Sequence, residues 1–138
     1  KMLVDAITTR MVLQPQSLDT IVATNLHADI LSDLAAALSG SLGLGPTANI
    51  NPERTFPSMF EPIHGSAFDL VGKDLANPLG AFWSCVMMLE HLQEKKGASL
   101  LMSAIEEVCQ EGRHLPIDLG GNSCTGEVTT AVCAALKK

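Results

Sequence analysis

The stretch NLHADILSDLAAALSG, Asn25 to Gly40, decides how the chain is read. It reads as one helix carrying two carboxylates, Asp29 and Asp33, four residues apart. At 3.6 residues per turn they lie about 40° apart around the axis, one turn above one another. Two like charges that close repel by roughly 3 kcal/mol at an effective dielectric near 20, and by far less when fully solvated. A helix facing a cleft would gain from a cation between them, because paired carboxylates suit hard divalent ions. The competing reading is a solvated acidic face, with Ile30, Leu34, Ala37 and Leu38 packing below it. Acidic pairs at this spacing are common, so spacing alone favours the solvated face.

Outward from that helix, size and composition set bounds. A chain of 138 residues with 46% hydrophobic content can bury a core of its own. The net charge of −6 argues against nucleic acid as a partner, and the only basic runs are Lys95-Lys96 and the terminal lysine pair. No apolar stretch reaches the length of a membrane span. The four cysteines, Cys85, Cys109, Cys124 and Cys133, show no C-x-x-C spacing, which argues against zinc. Cys85, Cys109 and Cys133 fall in helical apolar patterns and read as reduced core thiols of a cytoplasmic protein. The first residues, KMLVD, already lie inside an apolar-periodic pattern with no cap before it, as expected of a piece of a longer chain.

Met2 to Leu13 patterns as a helix with Leu3, Val4, Ile7 and Met11 on one face, and Pro15 stops it. Asp5 sits in its first turns, where the helix dipole favours a carboxylate. DTIVAT, Asp19 to Thr24, is β-branched and apolar and suits a short buried strand, with Asn25 as the cap of the next helix. GSLGLGP, Gly40 to Pro46, matches neither a dinucleotide fingerprint nor a Walker loop, so a bend between domains is expected there. Thr47 to Pro57 is polar and proline-bearing, an exposed loop or arm. Met59 to Ile63 suits an edge strand, and His64 to Asp69 a turn into a helical turn ending near Gly72. Pro78 starts a helix from Leu79 to Leu92 that is apolar almost all round, which makes Phe82, Trp83, Val86 and Leu89 core candidates. Gly97 is expected to separate it from an amphipathic helix, Ala98 to Glu111, with the stripe Leu101, Ala104, Ile105 and Val108. Gly112 ends that helix, and Thr125 is placed to cap a last one, Glu127 to Leu136.

Three segments carry a family resemblance: VDAITTRMVLQP, ATNLHADILSDLAAALSGSLGLGPTANI and FEPIHGSAFDLVGKDLANPLGAFWSCVMMLEHL. In that order they resemble the β-decarboxylating dehydrogenases, which act on isopropylmalate, isocitrate, tartrate and D-malate. The segment TANINPERTFPSMFEP is most similar to the tartrate/D-malate branch. The resemblance covers the chain end to end but only the C-terminal part of such an enzyme. It implies an α/β, isopropylmalate-dehydrogenase-like two-domain fold, helix-rich here, distinct from the usual dinucleotide fold and consistent with the missing G-x-G-x-x-G. Residues 1–39 would be part of the small, dimer-forming domain with the metal-binding helix, and 40–138 the C-terminal part of the large cofactor-binding domain.

By the same resemblance, Asp29 and Asp33 bind Mg²⁺ or Mn²⁺, and Asp5 completes the site from the neighbouring subunit of a homodimer. His64, Gly65, Ser66 and Ala67 wrap the adenosine part of NAD, Asp69 accepts its ribose hydroxyls, and Asn77 hydrogen-bonds the adenine. An acid at position 69 favours NAD over NADP, since it would repel a 2′-phosphate. Taken without the resemblance, His64 is a turn residue, Asp69 a helix cap, and Asn77 fixes the turn before Pro78. The substrate implied is a small 2-hydroxy acid such as tartrate or D-malate; an isopropylmalate- or isocitrate-type acid, or a truncated non-catalytic paralogue serving as an interaction module, is the alternative. The acid–base residues and substrate arginines of the family have no counterpart in these segments, so the chain alone is expected to be inactive. Departures from the family pattern are His27-Ala28 for Phe-Gly, Phe68 for proline, and Asp74 for a frequent glycine. They put the contacts of His27 and the shape of the 64–77 loop in question.

Overall fold

The computed structural model describes residues 1–138, which divide into two compact units, Lys1–Leu42 and Gly43–Lys138. The first unit is a helix pair. Helix α1, Val4–Leu13, ends at Gln14 ahead of a 3₁₀ turn at Pro15–Ser17 and packs on α2, Asn25–Leu38. The apolar face expected of α1 is buried only at Met11; on α2 the buried residues are Leu31 and Ala36. Ile30 and Leu38, expected beneath the acids, stand on the surface, as do Leu3 (73% exposed), Leu13 and Leu26 (67%). Asp19 to Thr24 is not a buried strand: it is irregular, and Val22 is 95% exposed. A strand needs a neighbour for its main-chain hydrogen bonds, and none of these residues lies beside it. Thr24, rather than Asn25, occupies the cap position of α2, without a side-chain capping bond.

The second unit begins with a two-stranded antiparallel sheet. Strand β1, Pro46–Asn49, pairs with β2, Met59–Pro62, in the register Thr47 to Glu61 and Ala48 to Phe60. The Ile63 N–H donates to the Gly45 carbonyl at 2.9 Å and extends the pairing by one step. The expected arm from Thr47 to Pro57 is thus strand only at its start, through Asn49. Its remainder is pinned where Arg54 Nη2 donates to the His91 carbonyl at 2.6 Å. Helix α3, Leu79–His91, lies against both strands and against α4, Lys95–Glu111, which in turn packs on α5, Thr125–Ala135.

The core is Leu79, Val86, Ala98, Leu101, Ala104, Ile105, Val108, Val128 and Val132. On α4 those positions recur every three or four residues, the period that keeps one face inward. Gly112 closes α4 in the left-handed region (φ +69°) and donates its N–H to Val108 O. Three expectations shift. Trp83 is exposed (36%) and does not join the core, Cys133 is exposed, and Gly97 is inside α4. The break between α3 and α4 falls at residues 92–94, where Gln93 takes a positive φ. Cys124, not Thr125, occupies the cap of α5, and its N–H donates to Glu127 Oε2 at 2.9 Å to form a capping box.

Two helical glycines make opposite demands. A Cβ on Gly80 would lie 2.7 Å from the Gly43 carbonyl oxygen, whereas one on Gly97 would meet only Leu89 at 3.7 Å. Alanine in place of glycine favours a helix by about 0.5–1 kcal/mol, and forced overpacking costs about 1–3 kcal/mol. Gly97→Ala is therefore expected to raise the thermal midpoint and Gly80→Ala to lower it. A Gly80→Ala chain as stable as its parent would contradict this packing.

Candidate functional site

Asp29 and Asp33 lie within α2 and are both exposed. The main-chain carbonyl of Asp29 accepts from Ser32 Oγ at 2.9 Å, but neither carboxylate takes a hydrogen bond from the chain. Two unspent carboxylates one helical turn apart offer hard oxygen donors and fit part of the shell of a divalent cation, which takes six or more oxygens. They leave positions for water, substrate and another acid. Asp5 opens α1, and its Oδ1 accepts the Ala6 N–H at 2.8 Å, which leaves Oδ2 free to coordinate. Within the chain, no three His, Cys, Asp or Glu side chains are arranged to hold a metal. His27 is exposed on the same helix.

Strand β2 delivers the chain into the second candidate region, residues 64–77. His64 Nδ1 is 3.1 Å from Gly65 O, and Ala67 takes a left-handed conformation (φ +40°) that swings the chain into a 3₁₀ turn at Phe68–Leu70. Gly72 (φ +75°) and Asp74 (φ +54°) bend it back. The curl encloses an open cavity of about 300 Å³ lined by His64, Gly65, Ser66, Ala67, Asp74 and Thr125, among others. That volume is at the lower end of the ~300–1,000 Å³ typical of small-molecule pockets. A Cβ on Gly65 would meet nothing within 4 Å, so the backbone there is open to a ligand. Asp69 is exposed on the 3₁₀ turn and does not line the cavity; Phe68 beside it is 85% exposed.

Asn77 lies elsewhere. It is buried, its Oδ1 accepts the Leu79 N–H at 2.9 Å, and its Nδ2 donates to Asp118 Oδ2 at 2.9 Å. Its carbonyl oxygen therefore fixes the turn into α3, and one amide hydrogen is left for any ligand. The structure thus gathers His64 to Ala67 at one cavity, sets Asp69 outside it, and gives Asn77 a structural task.

Asp74 and Thr125, read from the sequence as a departure from the family pattern and as a helix cap, join this region. The Asp74 carbonyl accepts the Thr125 N–H at 2.9 Å, Asp74 Oδ1 accepts the Gly126 N–H at 3.3 Å, and Thr125 Oγ1 donates to Ala76 O at 2.6 Å. A hydrogen bond to the Asp74 carboxylate, which only the protonated Cys124 thiol can donate, pushes the pKa of that thiol up. One signal was available: Asp74 departs from the pattern of the resemblance, and Asp tolerates a positive φ better than most residues.

A family model described as isocitrate/isopropylmalate dehydrogenase matches residues 1–134. A probable tartrate dehydrogenase/decarboxylase of Agrobacterium vitis is 68% identical over 99% of this chain and 38% of its own length. The decarboxylating D-malate dehydrogenase of Escherichia coli is 46% identical, over 94% of this chain and 37% of its own length. Among solved structures, isocitrate dehydrogenase from Methylococcus capsulatus superposes with a TM-score of 0.91 at 40% identity, covering 99% of this chain and 40% of that one. The chain thus spans well under half the length of the relatives it matches, with the helix-rich part of their two-domain α/β fold. It belongs to the isocitrate/isopropylmalate dehydrogenase family.

Proposed function

We propose that this chain supplies the cation-binding helix and the adenosine loop of an NAD- and divalent-metal-dependent dehydrogenase that oxidises and decarboxylates a small 2-hydroxy acid of the tartrate or D-malate type. The observation that carries the reading is the exposed, unspent Asp29/Asp33 pair, in a chain 68% identical to a probable tartrate dehydrogenase/decarboxylase. The 40% identity to an isocitrate dehydrogenase supports the reaction class, and the higher identity to the tartrate enzyme favours the smaller acid.

Each residue has a task. Asp29 and Asp33 hold Mg²⁺ or Mn²⁺, with Asp5 of a second subunit as the third carboxylate. A divalent cation held by these carboxylates would act as a Lewis acid, offsetting the negative charge that develops on the substrate as the hydroxyl proton leaves and as CO₂ departs. NAD⁺ supplies the acceptor for the C2 hydride. Residues His64 to Ala67 hold the adenosine, and Asp69 accepts the ribose hydroxyls and repels a 2′-phosphate. The exposed apolar side chains of the first unit, Leu3, Leu13, Val22 and Leu26 among them, support its role as the dimer-forming part, since monomers seldom expose such a surface.

Replacing both acids, Asp29→Asn with Asp33→Asn, in the complete enzyme is expected to weaken Mn²⁺ at least about tenfold, read from water-proton relaxation as well as turnover. Unchanged Mn²⁺ affinity would remove the pair from the site. The acid–base residues that the resemblance implies have no counterpart in this chain. Accordingly, the isolated 138 residues are expected to give no NAD reduction with tartrate or D-malate. Measurable NADH formation would show that the acid–base groups lie within this chain after all.

A further inference from the structure

We infer that Asp74 and Thr125 are positioning residues for the adenosine loop: they clasp its downstream end to the start of α5 and so fix the walls of the loop cavity. The inference rests on the adenosine reading of residues 64–77 for its function, but its geometry stands apart from it.

Within the loop, the hydrogen bonds are local. The Leu70 N–H donates to Ala67 O, Val71 to Phe68 O, and Lys73 to Leu70 O. Such bonds shape turns but do not fix where the loop sits. Long-range anchoring is confined to its two ends. Upstream, Ile63 is tied to Gly45 beside the sheet. Downstream, three hydrogen bonds cross from residues 74–76 to residues 125 and 126: Asp74 O with Thr125 N, Asp74 Oδ1 with Gly126 N, and Ala76 O with Thr125 Oγ1. The Cys124 thiol meets the Asp74 carboxylate at the same point.

Asp74 is suited to this position twice over. Its backbone is left-handed (φ +54°), a region that Asp tolerates better than most residues. Its carboxylate lies at the N-terminal end of α5, where free N–H groups and the helix dipole favour negative charge. A conformation of this kind persists when the surroundings over-determine it, and the bonds to α5 do so. Thr125 bridges the two roles: it belongs to α5, its hydroxyl bonds the loop, and it lines the loop cavity.

The test is hydrogen–deuterium exchange on the complete enzyme that carries this chain, together with calorimetric titration of AMP as the adenosine probe. In Thr125→Val, which keeps the shape and removes the hydroxyl, the amides of Leu70, Val71 and Lys73 are expected to exchange about tenfold faster, the size of one net hydrogen bond. AMP affinity falls by a similar factor, while the α4 amides from Leu101 to Val108 keep their protection. Thr125→Ser restores the parent values. Asp74→Gly, which relieves the backbone but removes the carboxylate, behaves as Thr125→Val. Unchanged loop exchange in Thr125→Val would overturn the clasp, and so would loss of α4 protection in both variants, which would make these bonds general to the fold. Faster loop exchange in a chain whose parent does not bind AMP would uphold the clasp and reject the adenosine reading instead.

Discussion

The Asn77 side chain is the joint of the second unit. A buried amide must satisfy both of its ends, and this one does so by accepting from Leu79 N–H and donating to Asp118. Three segments are thereby fixed relative to one another: the end of the 64–77 loop, the first turn of α3, and the segment that carries Asp118 on its way to α5. Leu79, the next residue but one, is fully buried, so the polar joint leads directly into the apolar core. Close packing around it leaves no room for side chains on the neighbouring backbone. A Cβ on Gly43 would lie 2.6 Å from Asp118 Oδ2 and 2.9 Å from Asn77 Cβ. Within GSLGLGP, Gly43 thus serves close approach, whereas Gly40 supplies a positive φ (+127°) with open space around it.

From that joint the cavity of residues 64–76 follows. The loop is held at the sheet by Ile63 and at α5 by Asp74 and Thr125, and between those anchors it is shaped by turns whose positive-φ residues are Ala67, Gly72 and Asp74. On the adenosine reading proposed for this loop, curled backbone would do what glycine and a helix end do in a G-x-G-x-x-G loop.

What was legible in the sequence is what local periodicity encodes. The stripe Leu101, Ala104, Ile105 and Val108 could be read because a helix satisfies its own backbone, and so could the closure at Gly112. Asp19 to Thr24 could not, since a β-branched run becomes a strand only beside another strand, and the chain places none there. The clasp escaped notice because it joins residues about fifty positions apart, with no pattern linking them. Asp69 and Asn77 were legible as site candidates only through resemblance. The structure gives Asn77 its structural task first and leaves Asp69 on an exposed turn outside the cavity.

The first unit poses the central question, because its two exposed carboxylates and its exposed apolar residues belong to a chain that spans well under half the length of its relatives. Under the proposed function, a second subunit covers the apolar surface and brings Asp5 to the Asp29/Asp33 pair. Subunit complementation in the complete enzyme tests this most directly. Asp5→Asn subunits and Asp29→Asn/Asp33→Asn subunits are each inactive in their own homodimers. Mixed dimers would hold one intact shared site and are predicted to recover about half of the parental activity per dimer, two sites being reduced to one. Mixed dimers as inactive as their parents would show that the three carboxylates do not meet across the subunit boundary.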